Sequence, residues 1–189
     1  SVIPLFLRLI ALTHIADLKV ERMLTYLRGL MLQETIAGNM NDDSLPFTSA
    51  LALHCFTNEY IFAETDEETL SIEHLQKQVS VLVEQKRNIP SYLIVTLATY
   101  RPLHKFDWAQ DLTEHEWGKE VSAVIERQIL DPLTELSLRP QIPCLTPVQD
   151  TVSRSVRDQY EENPYPRWVK TSLIEKSESI GAVLKATPF

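Results

Sequence analysis

Glycine is scarce: there are four in 189 residues, Gly29, Gly38, Gly118 and Gly181. Loops that cradle phosphates or dinucleotides need several glycines close together, and here the nearest two are Gly29 and Gly38. A nucleotide-binding turn is thereby excluded from the chain, and a protein of many tight hairpins is disfavoured. Cysteine is scarcer. Cys55 and Cys144 stand alone, outside any Cys-x-x-Cys pattern, which fits a reduced, cytoplasmic setting better than a disulfide framework. Also missing is a run of the roughly 18–20 apolar, uncharged residues needed to span a membrane. Residues 2–15 come nearest, but Arg8 and His14 interrupt them and no signal-peptide cleavage pattern follows. The chain opens on Ser1 rather than Met, which is expected of an excised fragment.

Metal and nucleophile signatures are absent too. His14, His54, His74, His104 and His115 show no second-ligand spacing and no His-x-x-x-His, so no metal site is expected. No Ser or Thr sits in a nucleophile elbow, which argues against a self-contained hydrolase. Basic residues are missing from residues 39–76, which hold eight acids: Asp42, Asp43, Glu59, Glu64, Asp66, Glu67, Glu68 and Glu73. The net charge is −8, so the remaining 18 acids and 18 bases balance. Nonspecific nucleic-acid binding needs a basic surface and is excluded as a function. The acidic block reads either as helix N-termini and solubility or as a docking face for a basic protein partner.

What is present is helical periodicity. In residues 17–38, Val20, Leu24, Leu27 and Met31 recur at steps of 4, 3 and 4, with Glu21, Arg22, Thr25 and Arg28 opposite. Asp17 is placed to cap that helix and Gly38 to end it. Residues 46–63 read as an apolar helix capped by Ser44. Thr65-Asp66-Glu67-Glu68 is a capping box opening a stripe of Ile72, Leu75, Val79 and Leu82, with Glu73 and Lys77 one turn apart. Residues 90–100 are β-branched enough for a strand, but no partner strand is visible, and a buried helix is the better reading. Thr113-Glu114-His115-Glu116 is a second capping box, leading into Val121, Val124, Ile125 and Ile129. Asp131-Pro132 restarts a short helix with Pro at its first position.

Residues 139–145 read as a linker. Thr146-Pro147-Val148-Gln149 then starts a helix to about Glu162, and residues 177–185 form one last helix. No self-similarity at a 34-residue period appears. The expectation is an all-α, bundle-like fold of about seven to eight helices, divided into a helical domain over residues 1–139 and a linker, a helix and a Pro/aromatic-rich joint over 140–189.

Three groups of residues are candidates for chemistry or contact. Asn58, Glu59 and Tyr60 interrupt an apolar run, and a carboxylate there is costly to bury unless it is hydrogen-bonded. They read as a buried polar cluster that satisfies a helix end or loop backbone, or else as a ligand-facing one. His54 and Asn58, like Cys55 and Glu59, share a helix face four residues apart. Trp108 and Trp117 read as anchors of a loop against the core. Finally, Tyr160, Asn163, Tyr165, Arg167 and Trp168 crowd around Pro164 and Pro166. Pro fixes φ and keeps the preceding residue extended, so this stretch is a rigid joint, either packed between domains or covering a neighbouring active site.

The run Gln159-Tyr160-Glu161-Glu162-Asn163-Pro164-Tyr165-Pro166-Arg167-Trp168 resembles the segment just upstream of the catalytic domain in bacterial tetratricopeptide-repeat/class I methyltransferase proteins. Leu53-His54-Cys55-Phe56-Thr57-Asn58-Glu59-Tyr60-Ile61-Phe62 is similar to the helical segment preceding it in the same proteins. The resemblance implies a parent that uses S-adenosylmethionine, with a strand and a Gly-rich loop following a position like Phe189. The cofactor motif, the ribose-binding acid and the upstream repeats are not in this sequence, so no catalytic residue carries over. The resemblance therefore implies a non-catalytic connector without a cofactor of its own, whose partner is the C-terminal domain of its own chain. Tyr160 and residues 163–168 would pack on or partly roof that domain. The alternative is a stand-alone helical interaction module with an acidic docking face. A small-ligand pocket at Asn58 and Glu59 is a third reading.

Overall fold

A computed structural model describes residues 3–143 and 150–162, residues 161 and 162 by backbone alone. Its elements are α1 (Ile3–Leu12), α2 (Leu18–Ile36), α3 (Leu45–Thr57), α4 (Asp66–Glu84), α5 (Ser91–Ala98), α6 (Lys119–Ile125), α7 (Asp131–Leu138) and α8 (Thr151–Glu162), with no strand among the described residues. The fold is all-α, and residues 90–100 settle as the buried helix α5.

α3 is the hub. Residues 48–52 and 54–57 of it are buried, and α1, α5 and α6 pack around it. A helix apolar on every side belongs in the interior. Two clusters result. The larger gathers Leu32, Ile72, Leu75, Val79, Leu93, Ile94, Leu97, Val121, Val124 and Ile129 from α2, α4, α5, α6 and the turn after it. The smaller joins Ile10 of α1 to Leu24, Leu51, Cys55 and Phe62, with Phe6, Leu7 and Val20 at its edge. Each fully buried Leu or Ile in them contributes about 1.5–3 kcal/mol.

Several helix ends form as their residues dictate. Asp17 accepts from the Lys19 and Val20 amides at 2.8 and 3.0 Å. Thr65 and Glu68 exchange both bonds of the capping box, at 3.2 and 2.8 Å. Gly38, with φ of 74°, closes α2 through bonds from its own amide to Thr35 and from Asn39 to Glu34. These are the two bonds of a Schellman end.

Other expectations need correction. α3 stops at Thr57 rather than at 63, because Glu59 and Tyr60 turn left-handed at φ 50° and 56°. The Glu59 amide reaches Phe56 O and the Tyr60 amide reaches Cys55 O, so this too is a Schellman end, built without glycine. Lys86 (φ 50°) ends α4 in the same way, with Lys86 bonded to Val83 and Arg87 to Leu82. Ser44 makes no side-chain cap on α3; its hydroxyl donates back to Asn41 O at 2.5 Å. Thr113 is no capping box either. Its hydroxyl donates to Gln110 O within a 3₁₀ turn, and α6 begins at Lys119 after Gly118.

A short helix does begin at Asp131-Pro132: α7 carries Pro in its first turn. It follows α6 through a π-helical turn, residues 126–130, rather than through a loop. α8 spans Thr151–Glu162, with Asp150 accepting from the Ser153 amide at 2.8 Å; the expected start at Thr146 falls outside the described residues. The buried face of α2 is Leu24, Arg28, Leu32 and Thr35, a rotation that takes Arg28 from the polar side into the interior. Residues 144–149, the predicted helix at 177–185 and the joint at 163–168 lie outside the described residues.

Trp108 and Trp117 sit where anchors would. Trp117 Nε1 donates to Leu112 O at 2.7 Å, Trp108 stacks on Phe106 at 4.6 Å, and both pack against the larger cluster.

Candidate functional site

The left-handed end of α3 aims its polar groups in different directions. Asn58 is buried. Its Oδ1 accepts from His14 Nδ1, and its Nδ2 donates to His54 O at 2.8 Å. His54 Nδ1 in turn donates to Ile10 O at 2.9 Å. Burial holds the His54 imidazole below its ordinary 6.5, the neighbouring His14 adding to the effect and backbone contacts from Ile10 and Thr13 opposing it. Tyr60, half-buried, brings its hydroxyl to 3.2 Å from both Ala98 O and Gln128 Oε1. Glu59 is half-buried beside them.

Gln128 organises the centre. It lies in the π-helical turn and is 0% exposed. Its Nε2 donates to Ala52 O at 3.0 Å and to Ala98 O at 3.1 Å. Its Oε1 accepts from the Leu103 amide and the Tyr60 hydroxyl, each at 3.2 Å. All four bonding positions of the amide are filled, tying α3, α5, the turn at 103 and the α3 end to one side chain. A π-turn re-aims side chains relative to a regular helix, and here it turns Gln128 inward.

The second polar feature centres on Arg28, 1% exposed. Its guanidinium lies 4.1 Å from the Tyr100 ring centroid and 5.8 Å from that of Phe62, and Nη2 donates to Ala63 O at 2.5 Å. Among the described residues Nε has no hydrogen-bond acceptor. A desolvated cation over an aromatic face contributes about 2 kcal/mol. Tyr100 passes the contact outward: its hydroxyl donates to Glu68 Oε1 at 2.6 Å, and burial is the main reason its phenol is held above the ordinary range. Cys55, also next to Arg28, is pushed up to about 12 by complete burial, the cation only partly opposing this. It is a neutral core thiol rather than a nucleophile.

Outside this layer a cleft of about 410 Å³ runs between α2 and the start of α4, lined by Tyr26, Gly29, Glu64, Thr65, Glu67 and Glu68 among others. Two of its carboxylates have partners. Arg101 grips Glu64 with both terminal nitrogens at 2.7 Å, and that bond, ahead of smaller contributions, holds the carboxyl below its usual value. Glu68 takes the Tyr100 hydroxyl and the Thr65 amide. Gly29 lets α2 come close: a Cβ there would meet Glu68 Oε1 at 3.2 Å.

Of the residues singled out from the sequence, Asn58 and Tyr60 enter the interior networks. Tyr160 is exposed on α8, and Asn163, Tyr165, Arg167 and Trp168 lie outside the described residues. Arg28, Tyr100 and Gln128 were not singled out. The one available signal was for Arg28, which falls one turn from Leu24 and Leu32 and precedes Gly29. Among the described residues no group of three or more metal-ligating side chains comes together, and no helix is long and apolar enough to cross a membrane. Compared with protein families, with curated proteins and with solved structures, the chain matches none.

Proposed function

We propose that the chain is a non-catalytic helical connector of an S-adenosylmethionine-dependent methyltransferase, which holds the catalytic domain in place and lines its substrate entrance. The observation that carries this reading is α8. Val152, Val156 and Tyr160 recur at steps of four and are 70%, 46% and 68% exposed. A stripe of that kind is a face waiting for a partner. It leads directly into the Gln159–Trp168 run on which the methyltransferase resemblance rests. The described residues do not fit the cofactor themselves. Gly29, Gly38 and Gly118 stand apart, and none follows a strand. The reading therefore assigns S-adenosylmethionine to the neighbouring domain.

Two measurements test it. Calorimetry of this chain with S-adenosylmethionine is expected to show no heat of binding; micromolar affinity accompanied by methyl transfer overturns the reading. Val156→Asp with Tyr160→Ala is expected to lower methyl transfer by the full-length protein while leaving the melting temperature of this chain in place. Unchanged transfer counts against α8 as the docking helix. The second reading, an acidic docking module, has the cleft at Glu64, Glu67 and Glu68 in its favour. It predicts salt-sensitive capture of a basic peptide that survives the α8 changes.

A further inference from the structure

We propose that the joint between α1 and α3 is an acid-opened latch, in which protonation of His54 undocks α1 while the bundle of α2–α7 stays folded. The proposal is independent of the connector reading and rests on how α1 is attached. α1 packs principally on α3, and its buried residue, Ile10, belongs to the smaller apolar cluster. The larger cluster contains no α1 residue. Opening the smaller cluster can therefore leave the larger one intact, the usual pattern of sub-global unfolding.

The polar fastening at this joint runs through two histidines. His54 Nδ1 donates to Ile10 O at 2.9 Å, so Nδ1 bears the hydrogen and the neutral ring keeps its other nitrogen bare. His14, on the link after α1, is hydrogen-bonded to Asn58 Oδ1, and Asn58 Nδ2 returns to His54 O. A second proton on His54 puts a full charge on a buried ring that lies 5.8 Å from the Phe62 ring. The basic groups around it do not favour that charge, and the carboxylate of Glu59 is of the sign that opposes them. His14 acts on His54 in the same sense as burial, and from α2 the Arg28 cation sits 5.8 Å from the same Phe62 ring. α1 contributes only the exposed Arg8, and the end of α3 contributes Glu59, one residue past the Asn58 cap. Undocking gives the imidazolium to water and uncovers a helix apolar on both sides: Phe6, Leu7, Ile10 and Ala11 inward, and Ile3, Leu5, Leu9 and Leu12 already outward.

The sign follows from linkage. A buried histidine held below its unfolded value of about 6.5 makes the docked form lose ground as pH falls through that value. Proton uptake on opening raises the opening constant as pH falls from 7.5 to 5.5, by at most about tenfold for a single site. Hydrogen exchange read by mass spectrometry, corrected for intrinsic rates, tests this on the whole chain. Protection of α1 is expected to fall over that interval, by up to about tenfold, while protection of α5 holds. In His54→Gln, which keeps a donor for Ile10 O but cannot charge, α1 protection should become independent of pH. His14→Gln should keep the wild-type response. Loss of protection in step across α1 and α5, a flat wild-type profile, or a response abolished by His14→Gln each overturns the latch. Should His54→Gln fail to fold, the wild-type comparison of α1 with α5 still decides.

Discussion

Replacing Gln128 by Leu tests the central packing argument. Leucine matches glutamine in reach and suits an apolar interior, so shape is nearly conserved while four bonding positions are lost. The Leu103 amide, buried and bonded to Oε1 at 3.2 Å, is left without an acceptor. An orphaned buried donor costs about 1–3 kcal/mol. Ala52 O loses a 3.0 Å donor and Ala98 O a 3.1 Å one; carbonyls with a second lone pair suffer less. The Tyr60 hydroxyl keeps Ala98 O at 3.2 Å. The extra apolar burial returns about 1 kcal/mol, for a net loss of about 2 kcal/mol. Set against a typical stability of about 5–15 kcal/mol, that is large. Urea denaturation followed by far-ultraviolet circular dichroism should show a lower midpoint with an unchanged slope. Gln141→Leu provides the control: Gln141 is exposed and donates to Ser137 O, and its change should stay within about 0.5 kcal/mol. A loss below about 1 kcal/mol for Gln128→Leu would refute the claim that this amide holds the centre together.

Two further outcomes follow from single residues. Lys86 is exposed and left-handed at φ 50°, so Lys86→Gly is expected to stabilise the chain by about 0.5–1 kcal/mol, read as a rise of about 1–3 °C in melting temperature; a fall contradicts the strain argument. For Glu64 the gain from Arg101 is present above the unfolded carboxyl value of 4.5 and disappears as pH drops through the lower folded value. The melting-temperature gap between wild type and Glu64→Gln should therefore be open at pH 7 and close in acid, and a gap unaffected by pH rules the pairing out.

Legibility in the sequence followed the range of the forces involved. Asp17, the Thr65 capping box and Gly38 act within one helical turn, and each was readable from its neighbours. So was α5, whose length and apolarity required burial. Local reading failed where distant partners decided. Nothing near Gln128 announces Ala52 or Tyr60, and Thr113 had the letters of a capping box but no helix starting beside it. Arg28 was assigned to the polar face because charge normally belongs there. It went inward because Tyr100 and Phe62, far along the chain, offered it ring faces. Glu59 and Tyr60 ended α3 early without the glycine by which such ends are usually recognised. At the candidate site the exposed stripe of α8 was only half legible: Tyr160 stood out by composition, whereas Val152 and Val156 did not.

Gln128 also bears on the order of events in folding. Its bonds reach partners 25, 30, 68 and 76 residues away, and the acceptors at 52 and 98 face it only after α3 and α5 lie side by side. Contacts that close such long loops form after the local helices and their first docking. An amide of this kind joins late. It acts less on how fast the native arrangement is found than on how slowly it comes apart.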